Sequence, residues 1–92
     1  MNPIEQTALV IECERLRGFL ENNQLVQANG LVQKLVAILQ ETIAKESVPE
    51  TAEKHAFWLP FRSAMRIRAK ILGGITRDAL AEADVLAGML RR

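Results

Sequence analysis

Between Leu25 and Ile43 the apolar residues fall at Leu25, Ala28, Val32, Leu35, Leu39 and Thr42/Ile43, at alternating intervals of three and four. That rhythm is a heptad seam. A helix of about 3.6 residues per turn returns such positions to one face, and a strand does not. Leu31, Val36 and Ile38 widen the stripe. An apolar stripe of this width has to be covered, so the chain must fold by packing helix on helix. The rest of the palette agrees. The aromatic residues are Phe19, Phe57, Phe61 and Trp58, with no Tyr, which leaves Leu, Ile, Val, Ala and Met to build the core. Nothing in the chain has a strand–turn–strand rhythm.

The punctuation divides the chain into helical segments. Asn2 is a good cap, Pro3 suits a first helical position, and Glu5 stands where a capping-box carboxylate belongs. Leu9, Cys13, Leu16 and Leu20 then recur at helical spacing, flanked by Ala8, Ile11 and Phe19, which predicts a helix over about 3–21. Asn22-Asn23-Gln24 separates it from the second helix, which is expected to run to about Lys45. Ser47-Val48-Pro49-Glu50 reads as another helix start, with Ser47 as cap and Glu50 reaching back. The third helix is expected to begin there and to break or kink near Leu59-Pro60. Past that point Trp58, Phe61, Met65 and Leu72 line one row, and Phe57, Ala64, Ile67 and Ile71 the next.

Two readings of Gly73-Gly74 stand at this stage. It ends the third helix as a left-handed cap, with Thr76 capping a fourth, or it is a joint in one long helix whose register continues through Ile75, Ala79, Ala83, Leu86 and Leu90. Ala79, Ala83, Ala87 and Gly88 give the last segment a small-residue stripe, suited to a close internal contact or to self-association. No internal repeat is visible in the letters. The expected fold is all-α, a single domain over residues 1–92 built as an antiparallel bundle of three to four helices with short connections.

Composition excludes most catalysis. The one histidine, His55, cannot form a His–His metal pair, and the one cysteine, Cys13, lies far from it in sequence. Cys13 lies on the apolar row of the first helix and reads as a packed thiol. Glu12 and Glu14 point to different sides of a helix, so they are not a carboxylate dyad. Gly73-Gly74 lacks the setting of a phosphate-binding loop. We therefore expect no enzyme activity and no cofactor. A single cysteine means no internal disulfide and fits a reducing compartment. No secretion signal is read at the start, and no run of about 18 apolar residues predicts a membrane span. The expected location is the cytoplasm.

Two features carry functional expectations. From Asn22 to Gln40 the only charge is Lys34, and the polar face of the second helix is built from Asn and Gln. Such a helix is buried at the centre of its own bundle or meets a partner. On the second reading a protein partner or a further copy of the chain docks on Leu25, Val32, Leu35 and Leu39, with Trp58 and Phe61 as anchors. The other feature is basic. No acid lies between Glu53 and Asp78, and Arg62, Arg66 and Lys70 are spaced by four, with Arg68 beside them. Residues 1–54 carry eight acids and five bases, and residues 55–92 three acids and seven bases. The basic ridge can pair with the acidic half, meet an acidic partner or an anionic membrane, or bind nucleic acid as a small regulator.

The layout resembles the small all-helical chaperones of flagellar and type III export, the FliT type. The likeness lies in Asn22-Asn23-Gln24 opening a Leu-rich second helix, the short break at Ser47 to Glu50, and a last helix ending near Leu90. It spans most of the chain and carries over no single functional residue. It implies a cytoplasmic protein that shields an amphipathic segment of an export substrate.

Overall fold

The computed structural model describes residues 1–91. Four α-helices follow one another: α1 (Pro3–Glu21), α2 (Leu25–Glu46), α3 (Trp58–Leu72) and α4 (Thr76–Leu90), with a 3-10 segment at Pro49–Lys54. The fold is all-α, and neighbouring helices run antiparallel. α1 packs on α2 and α4, and α3 packs on α2 and α4, so each helix occupies one corner of the bundle. The molecule is 37 Å along its longest axis, close to the length of its 22-residue α2 at about 1.5 Å per residue.

The ends of the helices show local chemistry at work. Asn2 Oδ1 accepts from the Glu5 N–H at 2.8 Å, and Pro3 opens α1 where no amide hydrogen is needed. α1 ends on Asn23, held in the left-handed region at φ 56°. The Gln24 N–H donates to the Phe19 carbonyl at 2.8 Å, and the Asn23 N–H to Leu20 at 3.1 Å. That pair of bonds is a Schellman cap. α3 ends in the same way on Gly74 at φ 74°: the Ile75 N–H reaches the Lys70 carbonyl at 2.8 Å, and the Gly74 N–H reaches Ile71 at 3.0 Å. Of the two readings of Gly73-Gly74, the structure takes the helix end. The Thr76 hydroxyl lies 3.5 Å from Asn23 Oδ1, which puts both turns at one end of the bundle.

Three local expectations are corrected. Ser47 does not cap a following helix. Its hydroxyl donates back to the Ile43 carbonyl at 2.9 Å and closes α2, and neither it nor Glu50 makes a cap at the 3-10 segment. The third helix does not kink at Pro60. The chain breaks earlier, at His55 to Phe57, and α3 starts at Trp58, so Pro60 falls in a first turn where its missing N–H costs no helical bond. Thr76 is the first residue of α4 rather than its cap, which is Ile75.

The buried rows reveal a repeat that the letters conceal. Leu9, Cys13, Leu16 and Leu20 of α1 stand 51 residues before Pro60, Ala64, Ile67 and Ile71 of α3, and all eight are buried. Ala28, Val32, Leu35, Val36 and Leu39 stand at the same offset from Ala79, Ala83, Leu86, Ala87 and Leu90, again all buried. The protein is thus two equivalent helix hairpins with the same turn and register, packed against each other. The alanine stripe of α4 is consumed inside: Ala79, Ala83 and Ala87 all face the core. Small side chains let α4 lie close to its neighbours, and α3–α4 is the most extensive seam, whereas α1–α2 is the thinnest.

One polar group enters the core. Ser63 is wholly buried, and its hydroxyl donates to Glu82 Oε1 at 2.8 Å, which also accepts from Arg66 Nε at 3.1 Å. The left-handed turn yields a direct test. Gly74→Ala should lower stability by about 1 kcal/mol, a fall of about 4–8 °C in melting temperature. Gly73→Ala should cost less, since φ there is −82° and the nearest atom to an added Cβ is at 3.5 Å. Thermal melts followed by circular dichroism compare the two.

Candidate functional site

The packing decides which of the sequence-nominated residues can meet anything outside. Val32, Leu35 and Leu39 are fully buried among α1, α3 and α4, so the bundle covers most of the α2 seam itself. Leu25, Trp58 and Phe61 are half-buried. Trp58 and Phe61 lie with ring centroids 5.7 Å apart at 35°. With Ile43 and Ala44 of α2 and Ala52 of the 3-10 segment they line a shallow, mostly apolar cleft of about 320 Å³, with Gln40 and Ser47 at its edge. The break before α3 makes this cleft: the 3-10 segment turns the chain so that Trp58 opens α3 beside the last turn of α2.

Beyond the cleft lies the α2–α3 face. Helical spacing carries the Trp58–Phe61 row onward to Met65, Arg68 and Leu72, and Met65 and Leu72 are exposed. Asn29, Gln33 and Gln40 flank this row from α2. Among the described residues two buried side-chain atoms, Asn29 Oδ1 and Arg68 Nε, have no hydrogen-bond partner, and helical spacing puts both on this face. α3 contains no carboxylate at all. Glu41 and Glu46 of α2 point the other way, into the groove shared with α1.

The basic ridge does not stay together. Arg66 pairs with Glu82 at 3.1 Å, and Lys70 Nζ lies 3.8 Å from Asp78. Both acids belong to α4, so these cations pair within their own hairpin rather than with the acidic half. Arg62 and Arg68 make no ion pair among the described residues, and Arg68 sits on the opposite flank, toward α2. The halves are instead joined by Arg17–Asp84 at 3.1 Å and Arg91–Glu14 at 3.0 Å, both across the α1–α4 seam.

A second groove has its charges paired internally. The α1–α2 groove, about 490 Å³, has an apolar floor of Leu9 and Ile38 and a charged rim. Glu41 lies there 2.8 Å from Lys45, whose hydrogen bond and charge hold its carboxyl below the usual range and push the Lys45 ammonium up. Glu46 is lowered too, chiefly by its bond to the Met1 ammonium. His55 is tied at both nitrogens: Nε2 is 3.2 Å from Glu46, and Nδ1 accepts from the Phe57 N–H at 3.0 Å. It thereby fixes the bend before α3. No cluster of three or more metal-ligating side chains exists among the described residues, and no described helix is long and apolar enough to cross a membrane.

Sequence reasoning put Trp58, Phe61, Met65 and Leu72 on one row but nominated only Trp58 and Phe61 for a partner, and it missed Asn29. The signal was present: the row Trp58, Phe61, Met65, Leu72 is legible, and the acid-free stretch covers it. These features define a small four-helix protein of 92 residues. Comparison with protein families, with curated proteins and with solved structures finds no match.

Cys13 gives the prediction for this part of the molecule. Burial is the main cause that pushes its thiol up to about 12, against a lowering by Arg91. The folded protein holds the proton more tightly than the unfolded chain, so this contribution to stability is full below the unfolded value of 9.0 and is lost as pH rises toward 12. Cys13→Ala should flatten the loss of stability with pH in that window by up to about 1.4 kcal/mol per pH unit. Urea melts across the alkaline range measure this. A thiol reagent at neutral pH should label Cys13 only on unfolding.

Proposed function

We propose that the protein is a non-enzymatic docking module whose α2–α3 face receives a helical segment of another protein. The observation that carries this reading is the composition of that face: half-buried aromatics at one end, exposed Met65 and Leu72 beyond them, neutral amides alongside, and no carboxylate on α3. Aromatic residues, Met and Arg with few acids are the signature of an interface core rather than of ordinary surface. An apolar row at three- and four-residue spacing also matches the geometry by which an amphipathic helix lies in a groove.

The small export chaperones whose layout the chain resembles are expected to act in this general way, and an adaptor or chaperone role falls within the proposal. The proposal rests on the face and not on membership of that family. Nucleic-acid binding draws less support, because two of its four nominated cations, Arg66 and Lys70, already face Glu82 and Asp78.

A photo-crosslinking amino acid placed at Met65, with the same group at Glu14 on the α1–α4 side as control, tests the proposal in cells that express the protein. Adducts to a discrete protein segment are expected from position 65 and not from position 14. Equal labelling from both positions, or none from 65, refutes a dedicated face.

A further inference from the structure

Resting on that docking reading, we infer that the occupant of the α2–α3 face is an acidic amphipathic helix of a partner protein, held along its apolar side by the Trp58–Met65–Leu72 row and by its carboxylates at Arg62 and Arg68. The argument is charge complementarity. Every arginine and lysine of α3 except these two stands opposite an acid of α4. Arg62 is exposed and Arg68 half-buried, and neither has a carboxylate within reach among the described residues. The Arg68 guanidinium is the more telling of the two. Its guanidinium makes no hydrogen bond or ion pair among the described residues; Nε is buried, and the terminal nitrogens are the donors that a docked carboxylate would meet.

The same facts argue against a second copy seated face to face. A two-fold pairing through this surface would bring Arg62 and Arg68 no acid from α2 or α3 of the other copy. The partner's largest apolar residue belongs at the Trp58 cleft, and its acids flank the row at Arg62 and Arg68.

Trp58 is the single tryptophan of the chain and reports directly on this face. The full protein is titrated with two synthetic helical peptides of about 18 residues, which share Leu at positions i, i+3, i+4, i+7 and i+11 and differ only in carrying Glu or Lys on the flanks. The Glu peptide should shift Trp58 emission to shorter wavelength and bind about tenfold or more tighter than the Lys peptide. Arg68→Glu should reverse that preference, and Arg62→Glu should reduce it. Arg68→Gln, which keeps the length of the side chain, should weaken the Glu peptide alone. Melts of each variant confirm that it remains folded.

Equal affinity for the two peptides overturns the acidic occupant and leaves the docking face standing. Binding of neither peptide, together with no crosslink at Met65, removes both. A Trp58 shift that grows with protein concentration alone assigns the face to a second copy and refutes the inference. So does a comparable shift on adding duplex DNA at low salt.

Discussion

The structure depends on four apolar rows, one per helix, closing on each other. Leu16, Leu35, Ile67 and Leu86 are all fully buried, one from each helix, and each belongs to a row that recurs every three or four residues. Burying such a side chain is worth about 1.5–3 kcal/mol, and in a chain this small the sum of these burials is what offsets the ordering of the backbone. The caps and ion pairs trim and orient the bundle. They do not hold it together, since exposed ion pairs contribute about 0–1 kcal/mol each.

What lies on the outside follows from that closure. α4 uses alanine where α2 uses valine, at Ala83 against Val32 and Ala87 against Val36. α4 can therefore sit close to α1 and α3, and its flanks bring Asp78, Glu82 and Asp84 within reach of Lys70, Arg66 and Arg17. The acids of the second half are used up on that side. The opposite side, between α2 and α3, is left with arginine, amide and apolar groups and no acid from either helix. The asymmetry of the molecule arises because two equivalent hairpins carry different side chains on one shared frame.

The repeat shows why a sequence can hide a symmetric structure. Only the buried register and the turn geometry are common to the two hairpins. Asn23 and Gly74 fill the same left-handed position for different reasons: Asn tolerates it with local polar support, and Gly has no Cβ to clash. Leu35 and Leu86 coincide, but Cys13 faces Ala64 in the alignment and Leu9 faces Pro60. Core positions ask only for an apolar group of suitable volume, so different letters satisfy the same site.

The sequence by itself determined the helices. Its spacing set the bounds of α1 and nearly those of α2, marked Asn22 to Gln24 as a turn, and excluded strands, because side-chain period is a local property that a window of residues carries complete. It also set the acid-free stretch and the aromatic pair. Only the tertiary structure decided that Val32, Leu35 and Leu39 turn inward while Met65 and Leu72 stay outside, and that Arg66 and Lys70 are paired while Arg62 and Arg68 are not. It likewise decided that the chain bends at His55 rather than at Pro60. Each of these depends on which helix lies beside which, and that is fixed by contacts between residues far apart along the chain.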